Sequence, residues 1–235
     1  PHRYQLHQMD THRFMGGLTK ATFRVERHED VVPTLFKAYE IAVSGEPGPV
    51  FVELPVNILL LTDEVAELPS FQPPQAARVE AAGDIARAAE LLAQAKHPCI
   101  FAGWGARDAT AELVHLAEWL DAPVATTLQG LSIFPGNHPL HVGFGFGAPP
   151  AGSPLGTRVA EIAPGSYGAA VPDNLIHIDI NPAAIGANYP AKVGIAGDAT
   201  AVLEQLLTAL EARHPPQPQH FGPRRQTPAH NAAHR

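Results

Sequence analysis

The stretch "NLIHIDINPA", residues 174–183, decides the fold. Leu175, Ile176 and Ile178 are large aliphatics in one short run, the composition of a strand buried on both faces. Asp179 stands at the carboxyl end of that run, and Asn181-Pro182 ends it. In an open α/β sheet the carboxyl end of a strand faces the ligand crevice, where an acid can accept hydrogen bonds from ribose hydroxyls. The same acid could cap the turn before Pro182, and the stretch by itself leaves both roles open.

Working outward, the pattern alternates. From Gly83 a helix is expected over about Asp84 to Ala95, with Asp84 as its N-cap. Strand "CIFAG" follows, then the turn "GWGA", a helix "DATAELVHLAEWL" and strand "PVATTL". A long Gly/Pro-rich stretch covers residues 129–157. After "LIHID" come a short strand "KVGIA" and a helix from about Asp198 to Leu210. Strands that are continuous apolar runs, alternating with helices, imply an α/β fold with a parallel sheet covered by helices on both faces.

Upstream, "HEDVVPTLFKAYEIAVSG" reads as a helix with Val31, Leu35, Ala38 and Ala42 on one stripe and Gly45 just past its end. "PGPVFVELP" reads as a turn and a buried strand at 49–54. The expected organisation is a first segment 1–58, a connector 59–81 broken by Pro69, Pro73 and Pro74, a nucleotide-binding-like unit 82–212, and a low-complexity tail 213–235.

Composition narrows the function. A net charge of -7 argues against a nucleic-acid surface. No run reaches the apolar length of a membrane span, and the N-terminus lacks a secretory pattern, so a cytoplasmic protein is expected. The single cysteine, Cys99, lies in the apolar run "PCIFAG" and reads as a small core residue. His2, His7 and His12 recur every five residues and share no face of a helix or strand, while His214, His220, His230 and His234 lie in the tail. Neither group has metal-ligand spacing.

Four phrases in order carry a family resemblance: "LTKATFRVERHEDVVPTLFKAYEIAVSGEPGPVFVELPVNI", "AELLAQAKHPCIFAGWGA", "APVATTLQGLSIFPGNHPLHVGFGFG" and "NLIHIDINPAAIGANYPAKVGIAGDA". The chain resembles the thiamine diphosphate-dependent enzymes of the acetolactate synthase (acetohydroxyacid synthase-like) family. The resemblance implies that residues 1–58 form the end of a pyrimidine-binding domain and that 82–212 form the central domain. It implies carbon–carbon bond formation by transfer from a 2-oxo acid such as pyruvate, with thiamine diphosphate and magnesium, in a homodimer or homotetramer. The family's activating glutamate would lie before Pro1 and its Gly-Asp-Gly motif after Arg235. No Gly-Asp-Gly occurs in the chain, so it is expected to be inert alone.

In acetolactate synthases the central domain binds FAD. By resemblance the cofactor residues here are Gly103 and Gly105 in "FAGWGA", Thr127 and Gln129 in "TTLQG", Thr157 and Arg158 in "GTR", Asp179 and Ile180 at the strand tip, and Asp198 in "GDA". This favours the ribose or adenine role for Asp179. No catalytic or metal residue is assigned.

Two departures qualify the resemblance. Where the biosynthetic enzymes continue Gly-x-Arg with Phe-Asp-Asp-Arg, this chain has Val159-Ala160-Glu161-Ile162. It also reads Gly45-Glu46-Pro47-Gly48-Pro49 and Pro55-Val56-Asn57 where the family often has Gly-Arg-Pro-Gly-Pro and Pro-Lys-Asp. These changes suit a related carboligase, decarboxylase or acetyltransferase of the same superfamily, some of whose members bind another nucleotide in place of FAD or none. Second, between Gly147 and Gly156 the family has a helix and a buried strand, whereas "APPAGSPL" shows no strand pattern. Such a strand buries about four large side chains worth roughly 1.5–3 kcal/mol each, comparable in sum with a domain's net stability of about 5–15 kcal/mol. Either the sheet closes around the gap or the unit is marginal. A non-catalytic nucleotide-binding or interaction module is the competing class. A sirtuin-like deacylase is disfavoured, because its histidine-containing stretch and zinc cysteines are lacking.

Overall fold

The computed structural model describes residues 9–74, 79–144, 153–155, 171 and 173–213. The chain divides into two compact units, residues 1–76 and 77–235. No helix among the described residues is long and apolar enough to cross a membrane.

The first unit runs α1 (Thr11–Met15), β1 (Thr22–Arg24), α2 (Val31–Val43), β2 (Phe51–Glu53) and α3 (Val56–Leu60). β1 and β2 pair in parallel, Thr22 opposite Phe51 and Arg24 opposite Glu53. The helix expected from the upstream phrase forms, and Gly45 beyond it takes φ +54°, which favours glycine. Lys20 Nζ donates to the carbonyls of Ser44 (2.5 Å) and Glu46 (3.0 Å), setting a cation at the α2 carboxyl terminus. The expected stripe is only partly covered: Ala38 is buried, but Leu35 is 44% exposed. The connector is not featureless, since its first residues belong to α3 and Phe71 packs against Phe36 and Tyr39 with ring centroids 5.1 and 5.4 Å apart.

The second unit runs α4 (Ala82–Gln94), β3 (Ile100–Ala102), α5 (Thr110–Leu120), β4 (Val124–Thr126), β5 (His141–Phe144), β6 (Ser153–Leu155), β7 (Ile176–Asp179), β8 (Val193–Ala196) and α6 (Ala199–Glu211). Its strands form one sheet in the order β5-β4-β3-β6-β7-β8, every pair parallel. Numbered within the unit this is 3-2-1-4-5-6, the doubly wound order whose switch point lies between β3 and β6.

Period-2 alternation divides the strand residues between two faces. Ile100, Ala102, Val124, Ile176, Ile178, Val193 and Ile195 join the core built with α4, α5 and α6, including Leu113, Leu203 and Leu206. The intervening residues Phe101, Ala125, His177 and Asp179 are buried as well, so these strands are covered on both sides. α6 packs against α4 and α5. The β7–β8 connection is held by the Gly186 N–H, which donates to His177 Nδ1 at 3.2 Å.

The structure corrects three expectations. Asp84 is not the N-cap of α4: Ala81 holds that position, and Asp84 lies in the first turn, pairing with Arg87 at 3.2 Å. An acid there still suits the helix dipole. The Gly/Pro-rich stretch contains the edge strand β5, whose register slips between Val124 and Ala125; Gly143 at φ +99° accommodates the bulge. Finally, "APPAGSPL" does supply a strand. Ser153–Leu155 pairs with β3 (Ile100 opposite Ser153, Ala102 opposite Leu155) and meets β7 at Ile178. A proline deletes a single ladder donor, so Pro154 tolerates a strand this short and the sheet closes across the gap.

Two outcomes follow from this packing. A methyl at Gly194 would collide with Ile185 Cγ2, so Gly194→Ala should destabilise by about 1–3 kcal/mol. In an Ile185→Ala background at least half that cost should vanish, as denaturant titrations of the four proteins would show. Burial pushes the Cys99 thiol from 9.0 up to about 12. A raised folded-state value means that this stability is intact below pH 9 and is lost as the pH climbs toward 12. Relative to Cys99→Ala, the wild type should lose up to about 1.4 kcal/mol per pH unit over that range. Parallel alkaline titration curves would refute it.

Candidate functional site

Parallel strands send all their carboxyl ends to one edge of the sheet, and the residues singled out from the sequence follow those ends. Gly103 and Gly105 follow β3, Thr127 and Gln129 follow β4, Asp179 ends β7 with Ile180 next, and Asp198 follows β8. Thr157 and Arg158 follow β6 in sequence but lie outside the described residues. The fold therefore brings Gly103, Gly105, Thr127, Gln129, Asp179, Ile180 and Asp198 to the carboxyl edge of the sheet, the edge on which doubly wound sheets bind ligands.

The loop after β3 differs from the expected glycine turn into a helix. Gly103 is extended at φ -111°, and neither it nor Gly105 has positive φ. A 3-10 turn, Trp104–Ala106, intervenes, and α5 begins only at Thr110. Gly103 is buried, Gly105 exposed. The backbone dihedrals here thus do not themselves require glycine.

After β4, the Thr127 N–H donates to the Ala102 carbonyl at 2.9 Å, and the Thr127 hydroxyl accepts from the Gly130 N–H at 3.1 Å. Gln129 is exposed. Beside them the hydroxyl of Thr126, a fully buried residue, has no hydrogen-bond partner. Leaving such a group unpaired costs about 1–3 kcal/mol. It was not singled out from the sequence, because a threonine in a strand is commonplace and only burial shows that it is unpaired.

Asp179 is 8% exposed. Its Oδ1 accepts the Asn181 N–H at 2.8 Å, so the turn-capping role is present in the structure. The main chain of Asp179 is also fixed, its carbonyl accepting from the Gly197 N–H at 3.0 Å. One hydrogen bond to Oδ1 leaves Oδ2 for a second acceptor role, so capping does not exclude a ligand. Asp198 is exposed and serves as the N-cap of α6, its Oδ1 accepting from Thr200 N (3.0 Å) and Ala201 N (3.2 Å). Ile180 is half-buried.

A doubly wound parallel sheet with polar groups gathered at its carboxyl edge defines an open α/β unit. The family description "Thiamine pyrophosphate enzyme, central domain" matches residues 85–153 and 154–206, the two matches abutting within β6. The chain belongs to this family of thiamine pyrophosphate enzymes and is acetolactate synthase-like. It is 35% identical to the probable acetolactate synthase large subunit of Methanocaldococcus jannaschii, over 83% of this chain and 36% of that one. It is 33% identical to the acetolactate synthase large subunit of Corynebacterium glutamicum (83% and 34%). With the isozyme 1 large subunit of Escherichia coli the identity is 30% (88% and 39%). The chain thus spans little more than a third of the length of these relatives. Among solved structures, benzoylformate decarboxylase from Polynucleobacter necessarius superposes with a TM-score of 0.71 at 19% identity, covering 86% of this chain and 39% of that one, which shows the shared fold.

The two roles of Asp179 separate experimentally. Asp179→Asn keeps an oxygen to accept the Asn181 N–H but removes the charge; Asp179→Ala removes both. If the carboxylate also binds a ribose, both variants should weaken FAD or ADP binding by roughly ten- to a hundredfold, while only Asp179→Ala should lower stability, by about 1 kcal/mol. Unchanged affinity in calorimetric titrations of both variants would leave Asp179 as a cap alone.

Proposed function

We propose that this chain is the central, nucleotide-binding portion of a thiamine diphosphate-dependent, acetolactate synthase-like enzyme of the cytoplasm. That enzyme would transfer a two-carbon unit from a 2-oxo acid such as pyruvate, as a homodimer or homotetramer. The observation that carries the reading is the similarity to named acetolactate synthase large subunits over 83% of this chain, supported by its doubly wound sheet.

The described residues do not fit the magnesium diphosphate end of thiamine diphosphate. The sequence has no Gly-Asp-Gly, and among the described residues no group of three or more His, Cys, Asp or Glu could hold a metal ion. We therefore derive no step through that cofactor. Carbanion chemistry belongs to the thiazolium ring, and a protein contributes activation and anchoring. The residues described here contribute a folded α/β unit.

FAD fits better. The unpaired buried hydroxyl of Thr126 stands at the edge where a nucleotide would lie. Asp179 would hold a ribose or adenine edge, the backbone at Gly103 and Gly105 would lie against the diphosphate, and Thr127, Gln129, Thr157, Arg158, Ile180 and Asp198 would complete the contacts. When bound, FAD supplies a flavin ring capable of hydride chemistry that acyl transfer does not require. These side chains would then bind and orient a cofactor, without moving protons.

The expected outcome is binding without turnover. The purified chain should take up FAD, followed by calorimetry, yet form no acetolactate from pyruvate with thiamine diphosphate and magnesium present. Turnover that survives repeated purification would overturn the assignment of catalytic groups outside this chain. Absence of FAD and ADP binding at millimolar concentration would favour the plain interaction module.

A further inference from the structure

Among the described residues of the second unit, the exposed large apolar side chains are Trp104 (53%), Leu128 (52%), Leu131 (47%) and Val142. Val142 belongs to the β5 bulge. The other three lie in the two loops that follow β3 and β4, on the carboxyl edge of the sheet. Elsewhere the unit buries such groups well, its second tryptophan, Trp119, being only 6% exposed.

These loops are neighbours by construction. The Thr127 N–H bonds to the Ala102 carbonyl at 2.9 Å, and a methyl added to Gly130 would stand 3.0 Å from that same oxygen. Glycine at 130 thus lets the second loop close onto the tip of β3, beside the segment carrying Trp104. The Arg107 guanidinium lies over the Trp104 ring, 5.4 Å from its centroid. An arginine–indole stack holds a flat surface in place. Thr126, whose buried hydroxyl is unpaired, ends β4 opposite Ala102, two residues before Trp104. Apolar surface left in water beside an unpaired buried polar group, at a topological switch point, matches the makeup of small-molecule sites.

We propose that Trp104, braced by Arg107 and flanked by Leu128 and Leu131, is a stacking platform for the planar heteroaromatic ring of a bound nucleotide. The proposal rests on the nucleotide reading above and adds the residue that grips the ring. Base–aromatic stacking is worth about 1–3 kcal/mol per ring, or five- to a hundredfold in affinity.

The chain has two tryptophans, so the exposed one can be followed by its emission against the buried one. Titrations of the full chain with FAD, FMN and ADP would record heat and tryptophan emission together, for wild type and Trp104→Phe. Circular dichroism would confirm that the exposed substitution leaves the fold intact. Quenching of wild-type emission at saturation by at least one of the three is expected. FMN then marks a flavin ring and ADP an adenine. In Trp104→Phe the quench should disappear, and affinity for the quenching nucleotide should fall measurably, by no more than about a hundredfold. Heat of binding with unchanged emission and equal affinity in the variant would overturn the platform and leave the nucleotide reading standing. Absence of heat with all three would overturn both. Emission that shifts with protein concentration and not with nucleotide would assign the patch to self-association and overturn the proposal.

Discussion

The second unit depends on one narrow span of backbone. β6 is three residues long with proline at its centre, yet it is the strand through which β3 communicates with β7. On one side of it lie β5, β4 and β3; on the other, β7 and β8. A parallel sheet is stable only when its strands are laddered and covered on both faces. Without Ser153–Leu155, the edges of β3 and β7 would present unpaired amides and carbonyls, each costly if buried. The switch point falls at this same place. The groups gathered at the carboxyl edge thus owe their proximity to the weakest rung of the ladder, and the family match divides between Ser153 and Pro154.

The two units differ in how they hold apolar surface. In the second, whole helix faces close on strands: Ala88, Ala89, Leu113, Ala117, Val202, Leu203 and Leu210 are fully buried. Among the described residues of the first, Val25, Ala38 and Ile58 are the buried apolar ones, while Phe14, Leu18, Tyr39, Val43, Leu59 and Leu60 stay exposed. A two-stranded parallel sheet with half-exposed residues cannot assemble the covered faces that such sheets require. Its order rests instead on local ties: Lys20 on the α2 terminus, Thr11 Oγ1 donating to Glu53 at 2.7 Å, and the Phe36–Phe71–Tyr39 cluster.

Legibility in the sequence followed the physics of each segment. β3, β4 and β7 were readable because a doubly covered strand leaves a continuous apolar run, β8 because Val193 and Ile195 mark its one buried face, and α6 because Asp198 caps it. β5 was hidden, since its bulge and Gly143 break the alternation on which strand recognition rests. β6 was hidden because long-range pairing, not local preference, makes "SPL" extended. At Asp84, local preference favoured capping, but the helix began two residues earlier. The strand-tip positions were readable as a set because topology alone places them. Trp104 was not: its exposure depends on the 3-10 turn that delays α5, which the spacing of glycines does not reveal.

Asp179 shows why capping and binding need not compete. A carboxylate free to rotate loses side-chain entropy when it grips a ligand. Here Oδ1 is already committed to the Asn181 amide and the residue's carbonyl to Gly197, so the side chain is fixed before any ligand arrives. Burial to 8% exposure lowers the local dielectric and strengthens whatever hydrogen bond Oδ2 accepts. The turn that looked like the alternative to a binding role is the device that would preorganise it. The same logic applies at Asp198 with less force, since that side chain is exposed and a ligand would have to displace water at little electrostatic advantage. Of the two acids on this edge, the buried one is therefore placed to discriminate between ligands, and the exposed one to hold the helix that backs it.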